Sequence, residues 1–321
     1  MIRRSFCFAL SSYAASAMSP VLAQTWPSKP FSVVVGYAPG GGVDFVVRAI
    51  SQGLGAQLGQ PVIVDNRAGA SGIIAATAVS KSVGDGYTLF GTDGGAVVLN
   101  KVLFDKLPYD PDKDLLPVSL VIRAPLILVA HPTFPASDLK SLVKVAGTQR
   151  LSYASAGKGT FHHLGMELLK RRAGFEADDI PYKGAGPAVQ DVLAGQVPLM
   201  MVDSIVGLPH LRAGKLKALA VLTPSRVPAL PDVLTAAEQG VQGADVYAWV
   251  GIVAPKGTPE VVLARLSAAI QAVVQTPEVS RRFTELGMEP YANTPSDFGR
   301  FIDIENKRWR PLVQQLGLKL D

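Results

Sequence analysis

Short apolar segments alternate with amphipathic ones along most of this 321-residue chain, and that alternation limits the folds open to it. Strand-like segments fall at 31–37, 61–65, 87–91, 126–130, 151–154, 178–182, 198–203, 217–222 and 246–254. Helix-like segments fall at 44–58, 71–81, 137–147, 160–173, 186–195, 204–213, 258–275, 277–286 and 295–316. Strands rich in Val, Ile and Leu between helices predict an α/β fold of parallel βαβ units, covered on both sheet faces. Asp44, Ser71, Ser137, Thr258-Pro259 and Thr276-Pro277 fit helix N-caps or proline at the first helical position.

Two of the strand-to-helix turns are glycine-rich. The first is Tyr37-Ala38-Pro39-Gly40-Gly41-Gly42-Val43-Asp44, and the second is Tyr153-Ala154-Ser155-Ala156-Gly157-Lys158-Gly159-Thr160. Glycine lets the backbone turn tightly and approach a ligand. The first amides of a helix lack internal partners and lie at the positive end of its dipole. Each turn can therefore hold a carboxylate or phosphate without a basic side chain. A pair of them points to an anion gripped between two lobes.

Size agrees with two lobes, because a chain this long is past the point at which single cores stop growing. The chain can cross between lobes at 122–131 and again at 246–257. Two crossings give a discontinuous first lobe (residues 24–124 and 253–321), a continuous second lobe (125–252) and a natural hinge.

Residues 1–23 read as an export signal. Arg3 and Arg4 form a basic start, Phe6 to Met18 a short apolar stretch, and Val21-Leu22-Ala23 a cleavage site before Gln24. The stretch is too short and too polar to span a bilayer. Arg3-Arg4-Ser5-Phe6 also resembles a twin-arginine start, so the export route stays open. The single cysteine, Cys7, lies inside this leader, so the exported chain has neither disulfide nor thiolate chemistry. Net charge is +5, or +3 without Arg3 and Arg4, and Lys170-Arg171-Arg172 reads as a solvated helix end. No nucleic-acid motif accompanies it.

Enzyme motifs fail on inspection. Gly40-Gly41-Gly42-Val43-Asp44-Phe45 lacks the third glycine of a dinucleotide fingerprint, and Lys158 is followed by glycine where a P-loop needs Ser or Thr. Neither Gly69-Ala70-Ser71-Gly72-Ile73 nor Tyr153-Ala154-Ser155-Ala156-Gly157 completes a nucleophile elbow. The histidines are His131, His162, His163 and His210; His163 and Glu167 share a helix face, but no further metal ligand is spaced to join them. No cofactor is expected. Asp44 reads as a helix cap rather than a catalytic acid. Arg67 faces an anion or ties loops together. Asp203, at the carboxyl end of a strand, either reads a ligand group or caps the next helix. Tyr87, Trp249 and Trp309 read as core.

Other phrases accompany the turns in a fixed order. They include Trp26-Pro27-Ser28-Lys29-Pro30, Asp65-Asn66-Arg67-Ala68-Gly69-Ala70-Ser71-Gly72, Asp85-Gly86-Tyr87-Thr88-Leu89 and Leu107-Pro108-Tyr109-Asp110. Then come His163-Leu164, Pro181-Tyr182-Lys183-Gly184, Gly214-Lys215-Leu216-Lys217-Ala218-Leu219-Ala220, Pro231-Asp232-Val233 and Ala254-Pro255-Lys256-Gly257-Thr258-Pro259. Together they resemble the Bug family, the TctC-like periplasmic solute receptors of tripartite tricarboxylate transporters, over essentially the whole exported chain. The resemblance implies a two-lobed periplasmic binding protein of type II, a Venus flytrap, whose cleft holds a carboxylate largely through backbone amides and water. It maps ligand binding to Tyr37, Pro39, Gly40, Gly41, Gly42 and Asp44; to Gly69, Ala70, Ser71 and Gly72; to Ser155, Ala156, Gly157, Gly159, Thr160 and His163; and to Asp203.

The implied ligands are small organic mono- or dicarboxylates: citrate-like acids, acidic amino acids, aromatic carboxylates or nicotinate-like compounds. The implied partners are membrane permease subunits, with the protein acting as a periplasmic monomer rather than an enzyme. A sensor ectodomain is an alternative partner, and an exported hydrolase a more distant reading. The chain departs from the family pattern at Leu234, a surface-loop change; at Tyr37, which could stack on the ligand or hydrogen-bond it; and at Phe161-His162, which would favour an aromatic or flat ligand if those side chains reach the cleft.

Overall fold

A computed structural model describes residues 26–320, so the leader, Cys7 and the cleavage site at Ala23 lie outside the described residues. The chain begins β1 (Phe31–Val35), α1 (Gly42–Leu58), β2 (Val62–Asn66), α2 (Ile73–Ser80), β3 (Thr88–Thr92), α3 (Asn100–Leu103) and α4 (Pro111–Asp114). It continues through β4 (Leu115–Ala130), α5 (Leu139–Ala146), β5 (Ser152–Ser155), α6 (Phe161–Ala173), β6 (Asp178–Pro181), α7 (Ala185–Leu193), β7 (Leu199–Asp203), α8 (Ser204–Arg212) and β8 (Lys217–Val221). It ends with β9 (Tyr247–Pro255), α9 (Glu260–Val274), α10 (Pro277–Glu285), β10 (Glu289–Pro290) and α11 (Pro295–Gln315).

The strand order is β2-β1-β3-β9-β4-β7-β5-β6, with β8 and β10 also pairing with β4. The outer strands are parallel, as the βαβ pattern predicts: β2-β1-β3 on one side and β7-β5-β6 on the other. The middle ladders are antiparallel, because the chain must run out along β4 and return along β9. Leu115–Pro125 of β4 pairs with β9, whereas Leu126–Ala130 pairs with β7 and β8. One 16-residue strand thus belongs to both halves of the sheet. The sequence shows only its apolar end, 126–130, because Pro117, Arg123 and Pro125 interrupt the pattern upstream.

Helices cover both faces. α1 and α9 pack over the first half through Val46, Ile50, Leu54, Leu266, Ile270 and Val273, and a Cβ at Gly53 would lie 2.8 Å from Val273. A second cluster under α7 and α8 joins Ile127, Val129, Val192, Met200 and Val202. Between the halves, Phe161 of α6 packs on Trp309 and Trp249 at ring separations of 5.5 and 6.4 Å. Both tryptophans are core, as expected, and both indole N–H groups donate to the buried Glu305.

Helix starts follow local chemistry with small displacements. Thr276 caps α10 with Pro277 behind it. At α5 the cap is Asp138 rather than Ser137, because Asp138 and Ser141 complete a capping box. Thr258 instead donates to the Pro255 carbonyl, and Pro259 takes the cap position of α9. Ser71 has φ +51° inside a single 3₁₀ turn, so α2 begins two residues later behind Gly72.

Candidate functional site

The strand ends of both halves carry the candidate loops to one edge of the sheet, the edge at which open α/β folds bind ligands. Gly41 occupies the cap position of α1, and no side chain caps it. The first amides of α1 therefore have no side-chain partner. Asp44 sits one turn in and is 2% exposed. Its carboxylate accepts from the Gly40 amide (2.8 Å), from Asn66 Nδ2 (2.8 Å) and from Arg48 Nε (3.0 Å). Asn66 also donates to the Tyr37 carbonyl and accepts from Arg48. Asp44 is thus not the cap; it fastens the glycine turn from beneath. Burial pushes its carboxyl up, but Arg48, the Gly40 amide and Asn66 together hold it below the ordinary value.

The second loop is backbone at its closest. Gly69, Ala70, Ser71 and Gly72 all have positive φ, which costs about 1–3 kcal/mol at each non-glycine position. Asn100 donates to the Ser71 carbonyl and holds the turn. A Cβ at Gly36 would stand 2.9 Å from Gly72 Cα, so the first and second loops touch through glycine. No side chain caps α2 either. Arg67, beside this loop, pairs with Asp65 at 2.8 Å and ties the backbone locally.

The loop after β5 is more occupied than its sequence predicts. Thr160 caps α6 by accepting from the His163 amide, and its hydroxyl donates to the Gly157 carbonyl. His163 is 4% exposed and takes the Gly159 amide on Nδ1 at 3.3 Å, which leaves the ring proton on Nε2, 3.8 Å from Asp179. Burial pulls its pKa down, against the opposing pull of Asp179 and Glu167. Thr160 and His163 therefore shape the loop. Ser155 supports the Gly157 amide, while Ala156 O and Ser155 O accept from Gly184 and Tyr182 of the next loop.

Asp203 caps α8, accepting from the Val206 amide at 3.1 Å, and meets His162 Nε2 at 2.9 Å. Burial raises its pKa, but His162 and the Val206 and Ile205 amides outweigh that and lower it overall. Phe161 lies in the core and does not reach the cleft, because the aromatic cluster of Trp249 and Trp309 claims it. The Tyr37 hydroxyl donates to Asp93 at 2.7 Å. The sequence reading missed Asp93. The signal was present: Thr92-Asp93-Gly94-Gly95 is a third glycine turn after an apolar strand.

The loops of the two halves meet. A Cβ at Gly42 would lie 3.6 Å from Ile205 of α8, and one at Gly159 would lie 2.8 Å from Leu103 of α3. A Cβ at Gly94 would strike the Phe161 ring at 2.4 Å, so only glycine fits there. Pro39 and Gly40 are exposed at the rim of the first loop.

Two halves of an α/β sheet, joined by β4 and β9 and facing each other through backbone-lined loops, define a solute-binding receptor of the periplasmic binding-protein class. The model for the tripartite tricarboxylate transporter family receptor, TctC, matches residues 46–318, and the chain belongs to that family. Protein BugT of Bordetella pertussis is 37% identical over 309 residues, covering 95% of each chain. Among solved structures, a Rhodopseudomonas palustris protein, MatC, with bound malate is 36% identical with a TM-score of 0.79, over 90% of this chain and all of that one. An R. palustris protein with adipate is 32% identical with a TM-score of 0.84, over 92% of this chain and all of that one. The periplasmic binding protein BugD is 33% identical with a TM-score of 0.81, at the same coverage. No helix among the described residues is long and apolar enough to cross a membrane.

Proposed function

We propose that this protein captures a small organic carboxylate between its lobes and delivers it to the membrane subunits of a tripartite transporter. The observation that carries this reading is the start of α1 behind Gly41, which no side chain caps, with the second loop set beside it by the Gly36–Gly72 approach. Unpartnered amides at a helix start favour an anion. Malate in MatC and adipate in the other R. palustris protein suit the same chemistry.

We place the lobe limits at 124/125 and 252/253, joined through β4 and β9; β4 changes partners near the first limit, whereas residues 251–253 of β9 pair with β3 of the first half. Those strands act as the hinge, and the ligand stabilises the closed state by touching both lobes. The protein works as an exported monomer after removal of residues 1–23. No covalent step belongs to the cycle: Asp44, His163 and Asp203 are each committed to loop or helix contacts.

Gly41→Val tests the first loop. Gly41 has φ −74°, and a Cβ there meets only the Ala38 carbonyl, at 3.4 Å, so the fold tolerates the side chain. Calorimetry should show carboxylate binding lost while the melting temperature stays within a few degrees of wild type. Unchanged affinity would remove this loop from the site.

A further inference from the structure

Asp93 lies beside the first glycine turn and is held by neutral donors. It follows β3, is half-buried, and accepts from Tyr37 Oη on Oδ2 at 2.7 Å and from the Gly95 amide on Oδ1 at 2.9 Å. Both donors are neutral. Among the described residues no lysine or arginine pairs with it. The basic group it senses is His162 across the cleft, and His162 Nε2 already lies 2.9 Å from Asp203. Asp203, by contrast, is satisfied by that imidazole and by the α8 amides. The His162 ring is thus paired with Asp203, and Asp93 is bonded to neutral donors.

The electrostatics agree with the geometry. Burial pushes the Asp93 carboxyl above the ordinary range, and Tyr37 and the Gly95 amide only partly offset it. Burial and Asp93 together push the Tyr37 hydroxyl well up, so it stays a donor. An ionised carboxylate offers about four acceptor positions, of which these two donors fill a part. A ligand carboxylate held at the neighbouring glycine turns would be repelled by Asp93 unless the ligand itself brings a positive charge.

Resting on the receptor reading above, we propose that Asp93 is a specificity-determining residue that selects carboxylates also carrying a cationic nitrogen. The turns of the first lobe take the carboxylate, and Asp93 accepts from the N–H groups beside it. Tyr37 and Gly95 hold the Asp93 carboxylate in orientation, and the His162–Asp203 pair closes the opposite wall.

The test is titration calorimetry on the purified, ligand-free protein with matched pairs that differ only by an amino group. These are aspartate and succinate, glutamate and glutarate, alanine and propionate, and phenylalanine and 3-phenylpropionate. The amino member of at least one pair should bind wild type about ten- to a hundredfold more tightly than its partner, the range for a charged hydrogen bond. Asp93→Asn, which is isosteric, should bring that ratio close to one by weakening the amino member alone. A merely structural role would weaken both members together. Asp93→Ser serves as a second variant if the first melts early.

Plain acids that bind wild type as tightly as their amino partners in every pair overturn the proposal, and so does a ratio unchanged in both variants. If Asp93 were instead a neutral donor to the ligand carboxylate, Asp93→Asn would keep plain-acid affinity and wild-type binding would weaken as pH rises. That result also overturns it. Binding of no acid of either kind would sink the receptor reading and this inference with it, whereas tight binding of plain acids alone would sink only the inference.

Discussion

Asp44 illustrates how one buried side chain can hold the backbone of a whole turn. Its carboxylate gathers Gly40, Asn66 and Arg48, so the glycine turn is held open by a buried acid rather than by its own sequence. Asp44→Ala should cost about 3 kcal/mol of stability, because buried donors lose a charged acceptor, and should weaken ligand binding as well. Chemical denaturation and calorimetry on the same variant check both. Because its folded pKa is depressed, the contribution of Asp44 is present above the ordinary carboxyl value and fades as pH falls through the lowered one. Glu305 has the opposite sign. Burial raises its pKa despite the two indole donors, both of which reach the same oxygen, Oε2. Its stabilising effect is greatest in acid and falls as pH rises through the elevated value. Glu305→Gln keeps an oxygen for both indoles and removes that dependence. Denaturation midpoints should therefore show the variant gaining on wild type as pH rises from 4 toward 7, in the window above the ordinary glutamate value. A constant difference across that range would deny Glu305 this role.

At the scale of elements, the loop after β5 rests on the start of α6. His163 accepts the Gly159 amide only while its Nδ1 is bare, so protonation must break that bond. Asp179 and Glu167 favour the proton, and Lys170, Lys158 and burial oppose it. The histidine is depressed overall, so its contribution is present above its ordinary value, near 6.5, and is lost as pH falls through the lowered one. Hydrogen exchange at residues 156–160 should accelerate below about pH 6 in the wild type. In His163→Gln, which carries no proton-sensitive ring, exchange should stay flat with pH after correction for the intrinsic rate. The sequence made this loop legible through its glycines, along with the cap and the helix that follow. It could not show that Thr160 and His163 spend their hydrogen bonds inside the loop, because that depends on a three-dimensional turn. The same limit hid Asp93, whose role is visible only once Tyr37 and His162 arrive from other elements.

For the whole molecule, periodicity located the outer parallel strands and their helices within one or two residues at most ends, because apolar runs bounded by glycine and proline leave little choice. The long strand β4 was legible only at 126–130. Its first half carries Pro117 and Arg123, tolerated because Arg123 lies between Tyr247 and Tyr291 and pairs with Glu289 at 2.6 Å. Those contacts come from β9, from β10 and from the residue after it, distant in sequence. Arg123 stands on one of the two strands that join the lobes, so Arg123→Ala should loosen the hinge while leaving each lobe folded. Small-angle scattering should then find the ligand-free variant more extended than wild type, and saturating ligand should compact both. Identical ligand-free profiles would place the hinge elsewhere.

The most direct measurement is thermal unfolding of the protein, first unfolded and refolded to strip any bound solute. It would be run against aliphatic dicarboxylates, tricarboxylates, amino acids, and aromatic and pyridine carboxylates. A ligand at a hundred times its dissociation constant adds about 2.7 kcal/mol, a shift of several degrees. The receptor account predicts a rise confined to one class of carboxylate and lost in Gly41→Val. A melting temperature unmoved by every carboxylate would contradict it.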